Sequence, residues 1–226
     1  MKVNEIFKSL QGEGFLAGVP SVFVRLAGCP LRCKWCDTKY AWNEDAGTDH
    51  STDDILRTIK LHDCKHIVIT GGEPMMDTDL PQLLQKLKTH GKHVTIETSG
   101  IAFMSDLECD LMSISPKLSN SLPDDPKLAS AHKDFSLDIA ILGELIDNYD
   151  YQLKFVVDSH SNLEEIQRTL EKIENVDLKK VMLMPQAATK DQLREKSDMV
   201  ADLCEKTGFA FGPRLHIMLW GNQKGR

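Results

Sequence analysis

The sequence predicts an α/β protein, an open, partial (β/α) barrel of about six parallel strands. Three observations carry that expectation. Apolar runs of strand length alternate with segments of helical period along nearly the whole chain, the pattern of right-handed βαβ units. These units are too few to close an eight-stranded barrel. The polar motifs also fall directly after the strands, where ligands gather in parallel sheets.

Taken in order, residues 3–9 alternate well enough for a short first strand. Leu10-Gln11-Gly12-Glu13-Gly14 follows as a polar turn whose glycines let a chain lie close against a ligand. Residues 21–27 form an apolar strand that Gly28 ends. Three cysteines come next, and Asp37-Thr38-Lys39-Tyr40-Ala41-Trp42 continues their loop. Ser51 supplies the hydroxyl cap of a helix over 51–59, with acids in its first turn. A strand over 66–70 leads into Gly71-Gly72-Glu73-Pro74. A helix follows over 79–90, with Pro81 in its first turn and Gly91 as its stop. Strands are expected at 93–98 and 110–115, ending in Glu97-Thr98 and Ser115-Pro116-Lys117. Pro123-Asp124-Asp125-Pro126 reads as a loop. Then come a helix at 137–149, a strand at 151–157, a helix at 163–173 and a strand at 181–184 before Pro185-Gln186. A long helix over 188–206 precedes a final strand over 209–219, interrupted at Gly212-Pro213.

Residues 1–226 suit one domain with a sizeable core. The balance of 27 basic against 34 acidic residues, −7, gives no basic footprint for duplex nucleic acid. Met1-Lys2-Val3-Asn4-Glu5 has no apolar stretch of a signal peptide behind it, and no run has the length of a membrane span, so the cytoplasm is the expected compartment. Cys64, Cys109 and Cys204 lie far apart and read as small buried thiols rather than disulfide partners. The eight histidines show no ligand spacing and read as surface or satisfied loop residues, with His216 on the last strand the one to watch. The Met182/Met184 alternation reads as core packing.

Cys29, Cys33 and Cys36 sit within eight residues at the tip of a strand. Thiolates at that density select zinc, copper(I) or an iron–sulfur cluster. A structural zinc site closes its tetrahedron with a fourth Cys or His at short spacing, and the next candidates, His50 and Cys64, are remote. Three ligands to a four-iron cluster leave one iron open.

Cys-x3-Cys-x-aromatic-Cys, with Trp35 as the aromatic residue, resembles the cluster loop of the radical S-adenosylmethionine (radical SAM) enzymes, and Thr70-Gly71-Gly72-Glu73-Pro74 resembles a second element of that family. The resemblance implies the radical SAM partial barrel and a [4Fe–4S] cluster on Cys29, Cys33 and Cys36. It also implies S-adenosylmethionine on the open iron, held by its amino and carboxylate groups. The reduced cluster would pass one electron to the sulfonium, and the 5′-deoxyadenosyl radical so formed would take a hydrogen from substrate. Gly71 and Gly72 would hold the methionine ammonium, and Glu73 would fix their loop. Trp35, Gly72, Glu97, Ser115, Lys117 and Gln186 are the expected S-adenosylmethionine residues, most of them because they end strands on the cluster's side.

Leu10-Gln11-Gly12-Glu13-Gly14, Arg25, Cys36-Asp37-Thr38, Thr70-Gly71-Gly72-Glu73-Pro74 and Leu219-Trp220-Gly221-Asn222 together resemble the 7-carboxy-7-deazaguanine synthase family over essentially the whole chain. That resemblance implies a lyase converting 6-carboxy-5,6,7,8-tetrahydropterin to 7-carboxy-7-deazaguanine with loss of ammonia, in deazapurine and queuosine precursor synthesis. It implies Mg2+, with the Thr38 hydroxyl a hard oxygen ligand for it. It further implies an electron donor such as flavodoxin or ferredoxin, a homodimer, and no nucleic-acid or membrane partner. The expected pterin residues are Leu10, Gln11, Gly12, Glu13, Arg25, Thr70 and Arg226, the last because the family's C-terminal segment closes over substrate. The three-residue gap between Cys29 and Cys33 is the commoner radical SAM spacing, so features of the longer insertion in some family members do not carry over.

Arg25 stands four residues before Cys29 and so faces the same side of a strand. No acid lies in its own strand. Either an acid on a neighbouring strand or a bound carboxylate must neutralise it, and the bound carboxylate is the expectation. Two rival readings remain: an enzyme that installs a glycyl radical on a partner protein, and a zinc-binding adaptor without activity.

Overall fold

The computed structural model describes residues 1–135 and 137–226. Nine strands form one sheet in the order β3-β1-β2-β4-β5-β6-β7-β8-β9. In chain order β1 is Lys2–Leu10, β2 Pro20–Leu26, β3 Thr48–Asp49, α1 Thr52–Lys60, β4 His66–Gly71, α2 Leu80–Thr89, β5 His93–Thr98 and β6 Leu111–Ile114. The second half runs α3 Pro126–Lys133, α4 Ile139–Asn148, β7 Tyr151–Val157, α5 Asn162–Leu170, β8 Val181–Pro185, α6 Lys190–Thr207, β9 Ala210–Phe211 and α7 Leu215–Trp220. From β2 through β9 every neighbouring pair is parallel, while β1 runs antiparallel to β2 and β3. This is the expected partial barrel with an antiparallel edge.

Local chemistry explains the helices that position the loops. Ser51 and Asp54 form a reciprocal capping box at α1. Asp138 caps α4 with two backbone bonds. Gly208, at φ 77°, ends α6 in the left-handed conformation.

Side chains alternate across the sheet, and the two faces differ in chemistry. Val22, Val24, Leu26, Ile67, Ile69, Val94, Ile96, Met112, Ile114, Leu153, Phe155, Val157, Val181 and Leu183 point to the helices and form the apolar core with Ile55, Leu83, Leu87, Leu142 and Leu203. Their neighbours Arg25, Thr70, Glu97, Ser113 and Lys154 line the concave side.

Two expectations need correction. The final strand ends at Phe211, and residues 215–220 are helix α7. Pro213 cannot donate to a ladder, and the Leu215 N–H bonds the carbonyl of Gly12 instead of a strand. The expected loop holds over 123–125, but Pro126 is already the first residue of a helix, α3, capped by Asp125. Its weak apolar period hid it, because among its residues only His132 is buried. Among the described residues no helix is long and apolar enough to cross a membrane.

Candidate active site

One cavity on the concave side collects the cysteine loop, the Gly-Gly-Glu-Pro turn, the Gln-Gly-Glu-Gly turn and the end of the chain. Of the expected residues, Leu10, Gln11, Gly12, Glu13, Arg25, Cys29, Cys33, Trp35, Cys36, Thr38, Thr70, Gly72, Glu97, Ser115, Lys117 and Arg226 all line it. Gln186 does not; its side-chain oxygen accepts from Lys196 on α6 at 2.6 Å.

The cysteine loop is stitched at both ends. The Cys29 N–H bonds the Trp42 carbonyl at 2.9 Å, and the Cys36 N–H bonds that of Cys33 at 3.1 Å. All three thiols are unpaired, as are Cys64, Cys109 and Cys204. Burial pushes the Cys29 thiol up to about 12 and the Cys33 thiol to about 11. Three free thiols lining one cavity, Cys33 buried and Cys29 and Cys36 partly so, fit an iron–sulfur cluster, whose iron would displace the protons.

Gly72 meets this loop so closely that a Cβ there would overlap the carbonyl of Gly28. The Gly72 N–H bonds the Leu26 carbonyl and the Glu73 N–H bonds that of Gly28, both at 2.8 Å. Glu73, buried, accepts from the Met75 N–H, the Thr98 hydroxyl, and both the N–H and hydroxyl of Ser99. Its role in fixing the turn follows from those four donors. On the same rim Lys117 Nζ donates to the Ser115 hydroxyl at 2.8 Å and lies 5.5 Å from the centre of the Trp35 ring.

After β1 the chain crosses the concave side. Gln11 Nε2 donates to Glu97 at 3.1 Å, Thr70 Oγ1 donates to the other Glu97 oxygen at 3.0 Å, and the Phe15 N–H reaches Gln152 on β7. Gly12 and Gly14 are needed here, because a Cβ at either would strike His216 or Gln152 respectively, and Gly14 has φ 73°.

Five charges then run through the wall: Asp37, Arg214, Glu13, Lys154 and Glu97. Arg214 contacts both Asp37 and Glu13, and Lys154 sits 2.9 Å from Glu13 and 3.6 Å from Glu97. Burial alone would raise the Glu13 carboxyl, but Lys154 and Arg214 outweigh it and hold it at about 2. Burial likewise opposes ionisation of Asp37, and His216 and Arg214 reverse the effect, leaving it well below the usual carboxylate range. Burial disfavours the Lys154 charge, yet Glu13 and Glu97 raise its pKa. Glu13, Asp37 and His216 bring three ligand atoms within 4.8 Å of one another, although Arg214 already neutralises both acids.

Sequence reasoning missed Lys154 and Arg214. Lys154 is a cation inside a largely apolar strand, which is itself a signal for a buried partner. Arg214 follows a strand end like the other motif residues, and the overlong final strand concealed it.

Arg25 is a correction. Its Nε donates to Glu5 on β1 at 2.8 Å, so a neighbouring strand supplies the acid. The reason is register: a bulge between Val3 and Glu5 sets Glu5 opposite Arg25. Tyr40 shares the same Glu5 oxygen at 2.9 Å. The two terminal nitrogens of Arg25 have no acceptor among the described residues, and the side chain lines the cavity. Thr38 Oγ1 lies 3.5 Å from Cys36 Sγ. His216 stands on α7 rather than on a strand, with Nε2 3.8 Å from Asp37. Along the mouth, Asn222 donates to the Asp37 carbonyl, Lys224 stacks on Tyr40 and Arg226 on Trp220.

The sequence profile of the Radical SAM superfamily matches residues 24–122, from the strand before the cysteines to the turn that follows β6. The 7-carboxy-7-deazaguanine synthase of Halobacterium salinarum is 41% identical, over 98% of this chain and 91% of that protein. This chain belongs to the 7-carboxy-7-deazaguanine synthase family. The synthase of Rhodopirellula baltica is 39% identical, over 99% of this chain and 88% of its own. The crystal structure of QueE from Escherichia coli superposes with a TM-score of 0.70 at 28% identity, covering 95% of this chain and 94% of that one. The synthase family is a radical SAM family, and membership implies the [4Fe–4S] cluster and S-adenosylmethionine. It sets aside both the zinc adaptor and the protein-activating reading.

Proposed function

We propose that the chain is a radical SAM lyase converting 6-carboxy-5,6,7,8-tetrahydropterin to 7-carboxy-7-deazaguanine with loss of ammonia. The observation that carries this reading is one cavity lined both by the three free thiols and by the polar set Gln11, Glu13, Arg25, Thr70 and Glu97. Cys29, Cys33 and Cys36 would hold the cluster. Gly72, Ser115, Lys117 and Trp35 would line the S-adenosylmethionine site. Cluster and S-adenosylmethionine, when bound, supply one-electron hydrogen abstraction.

The chain's own residues do the placing. The free terminal nitrogens of Arg25 suit a substrate carboxylate, with Glu5 steering the guanidinium by its Nε. The backbone of Leu10 and Gly12 and the Glu13 carboxylate suit the donors and acceptors of a pterin edge. Glu97 is held between Gln11, Thr70 and Lys154, so its contact is better suited to the pterin side than to the rim. Thr38 is the proposed Mg2+ ligand. The segment 222–226 is the proposed cover that excludes water from the reacting atoms. A homodimer and a flavodoxin or ferredoxin donor belong to the same reading.

An anaerobic assay decides it: reconstituted protein, 6-carboxytetrahydropterin, S-adenosylmethionine, Mg2+ and dithionite should yield 7-carboxy-7-deazaguanine. Cys33→Ala should bind no cluster iron and make no product. Absence of product from a fully iron-loaded parent would reject the substrate, and full iron in Cys33→Ala would reject the ligand set.

A further inference from the structure

The cysteine loop is also held from a side where, of the expected site residues, Trp35 makes a hydrogen bond. The middle of the loop docks on residues 118–121 and on helix α3. The Lys34 N–H bonds the Ser121 carbonyl at 2.9 Å, and Trp35 Nε1 donates to the Asn120 carbonyl at 3.0 Å. Just before them, the Arg32 N–H donates to Nδ1 of His132 at 3.0 Å. His132 is 1% exposed and Ser121 fully buried.

The hydrogen-bond chain fixes the form of the ring. Ser121 Oγ spends its proton on the Leu118 carbonyl at 2.6 Å, so toward His132 Nε2, 3.0 Å away, it can only accept. Nε2 therefore carries the hydrogen, and Nδ1 presents a lone pair to Arg32. Each bond polarises the next along the run from Arg32 through His132 and Ser121 to Leu118. Both ring nitrogens are occupied, so His132 is not a fourth metal ligand although it touches the loop. Burial and the nearby Lys117 cation also disfavour the imidazolium.

We propose that His132 is a positioning residue for the cluster loop: a neutral Nε2–H imidazole that holds the Arg32 amide and thereby sets how Leu31 to Cys36 present Cys33 and Cys36. The inference rests on the reading of Cys29, Cys33 and Cys36 as cluster ligands. Arg32 lies next to Cys33, and without His132 its part-buried N–H has no other acceptor among the described residues. Such a donor destabilises the loop conformation that requires it.

The test compares His132→Asn, whose Oδ1 lies near the place of Nδ1, with His132→Leu, which fills the volume without an acceptor. Two readouts need no turnover: hydrogen–deuterium exchange of the 31–36 segment in the iron-free full chain, and iron release from the reconstituted protein to a chelator. His132→Leu should accelerate both by about tenfold, the scale of one lost hydrogen bond that leaves its partner unsatisfied. His132→Asn should stay within about threefold of the parent. Equal behaviour of Asn and Leu variants in the exchange readout overturns the proposal. Should His132→Leu fail to fold, histidine 15N spectra of the parent near neutral pH decide: the Nε2–H tautomer upholds the proposal, and an Nδ1–H tautomer or an imidazolium overturns it. Loop exchange is read without iron, so this outcome is separate from whether the three cysteines bind a cluster.

Discussion

Lys154 and Phe155 are neighbours on β7, both inside the protein at 2% and 0% exposure, and they do opposite work. Phe155 points to the helices with Tyr151, Leu153 and Val157, where burial of apolar area drives folding. Lys154 points to the concave side with Gln152, where it meets Glu13 and Glu97. A shift of one residue in register would exchange the two faces. The comparison teaches that depth of burial does not mark the core of this protein. Face does, and the partial barrel is a device for putting a charged surface directly behind an apolar one.

The largest effect expected from that division belongs to Phe155→Ala. Truncating a fully buried Phe costs about 3–5 kcal/mol. Chemical denaturation should register the loss while S-adenosylmethionine affinity of the folded fraction stays at the parent value. A comparable loss of ligand affinity would show that the faces are not independent.

Next comes Arg25→Ala, set against Arg25→Lys. Alanine abandons a carboxylate of the pterin and Glu5 together, and removing one partner of a buried charged pair typically costs about 2–5 kcal/mol. Lysine keeps a cation for Glu5 but loses the fork that fits a second carboxylate. Thermal unfolding should therefore separate the variants, with lysine near the parent, while both raise the KM for the pterin. Parent-like turnover by Arg25→Ala would remove the substrate contact from the reading.

The fold was legible because βαβ alternation is a local pattern, and the helices at 51–59 and 79–90 carried explicit caps and stops. The site was legible where it sits at strand ends in short motifs: the cysteines, Gly71-Gly72-Glu73, Gln11-Gly12-Glu13. What stayed hidden depended on pairing across the sheet. Glu5 became the partner of Arg25 through a bulge and a register that no single strand encodes. Arg214 was concealed by extending a strand through Gly212-Pro213, and His132 by a helix with almost no apolar period. Gln186 obeyed the strand-end rule yet turned to Lys196, because position along a strand does not fix where a long amide reaches.

A smaller effect should follow from Glu13→Gln, which tests the charged face through pH. The folded carboxyl lies at about 2 against an ordinary 4.5. A depressed pKa contributes stability that is present above the ordinary value and lost as pH falls through the folded one. The parent should thus lose stability between 4.5 and about 2 more steeply than the variant. The variant should also be the less stable at neutral pH. Urea midpoints measured across that window check the slope. Parallel lines would mean that Lys154 and Arg214 find other partners when Glu13 is neutral.

Thr38→Ala is expected to do least, and it asks whether the concave face works through single ligands or through its field. Mg2+ prefers six oxygens, keeps several waters, and takes only one or two from protein. Replacing one hydroxyl by water therefore removes little direct energy; a tenfold rise in the Mg2+ needed corresponds to about 1.4 kcal/mol. Cluster iron and S-adenosylmethionine affinity should be unchanged, since among the described residues the hydroxyl's side-chain hydrogen-bond contact is the Cys36 sulfur, at a long 3.5 Å. The acids nearby compete for the same role: Glu13 and Asp37 stand within 4.8 Å of each other's ligand atoms, together with His216. Arg214 neutralises both, which lowers their value to a cation but does not remove their oxygens. If Mg2+ dependence survives Thr38→Ala unaltered and shifts instead in Asp37→Asn, the ion sits on the charged wall. The concave face would then bind metal by opening the Arg214 pairs rather than by a hydroxyl beside the cysteines.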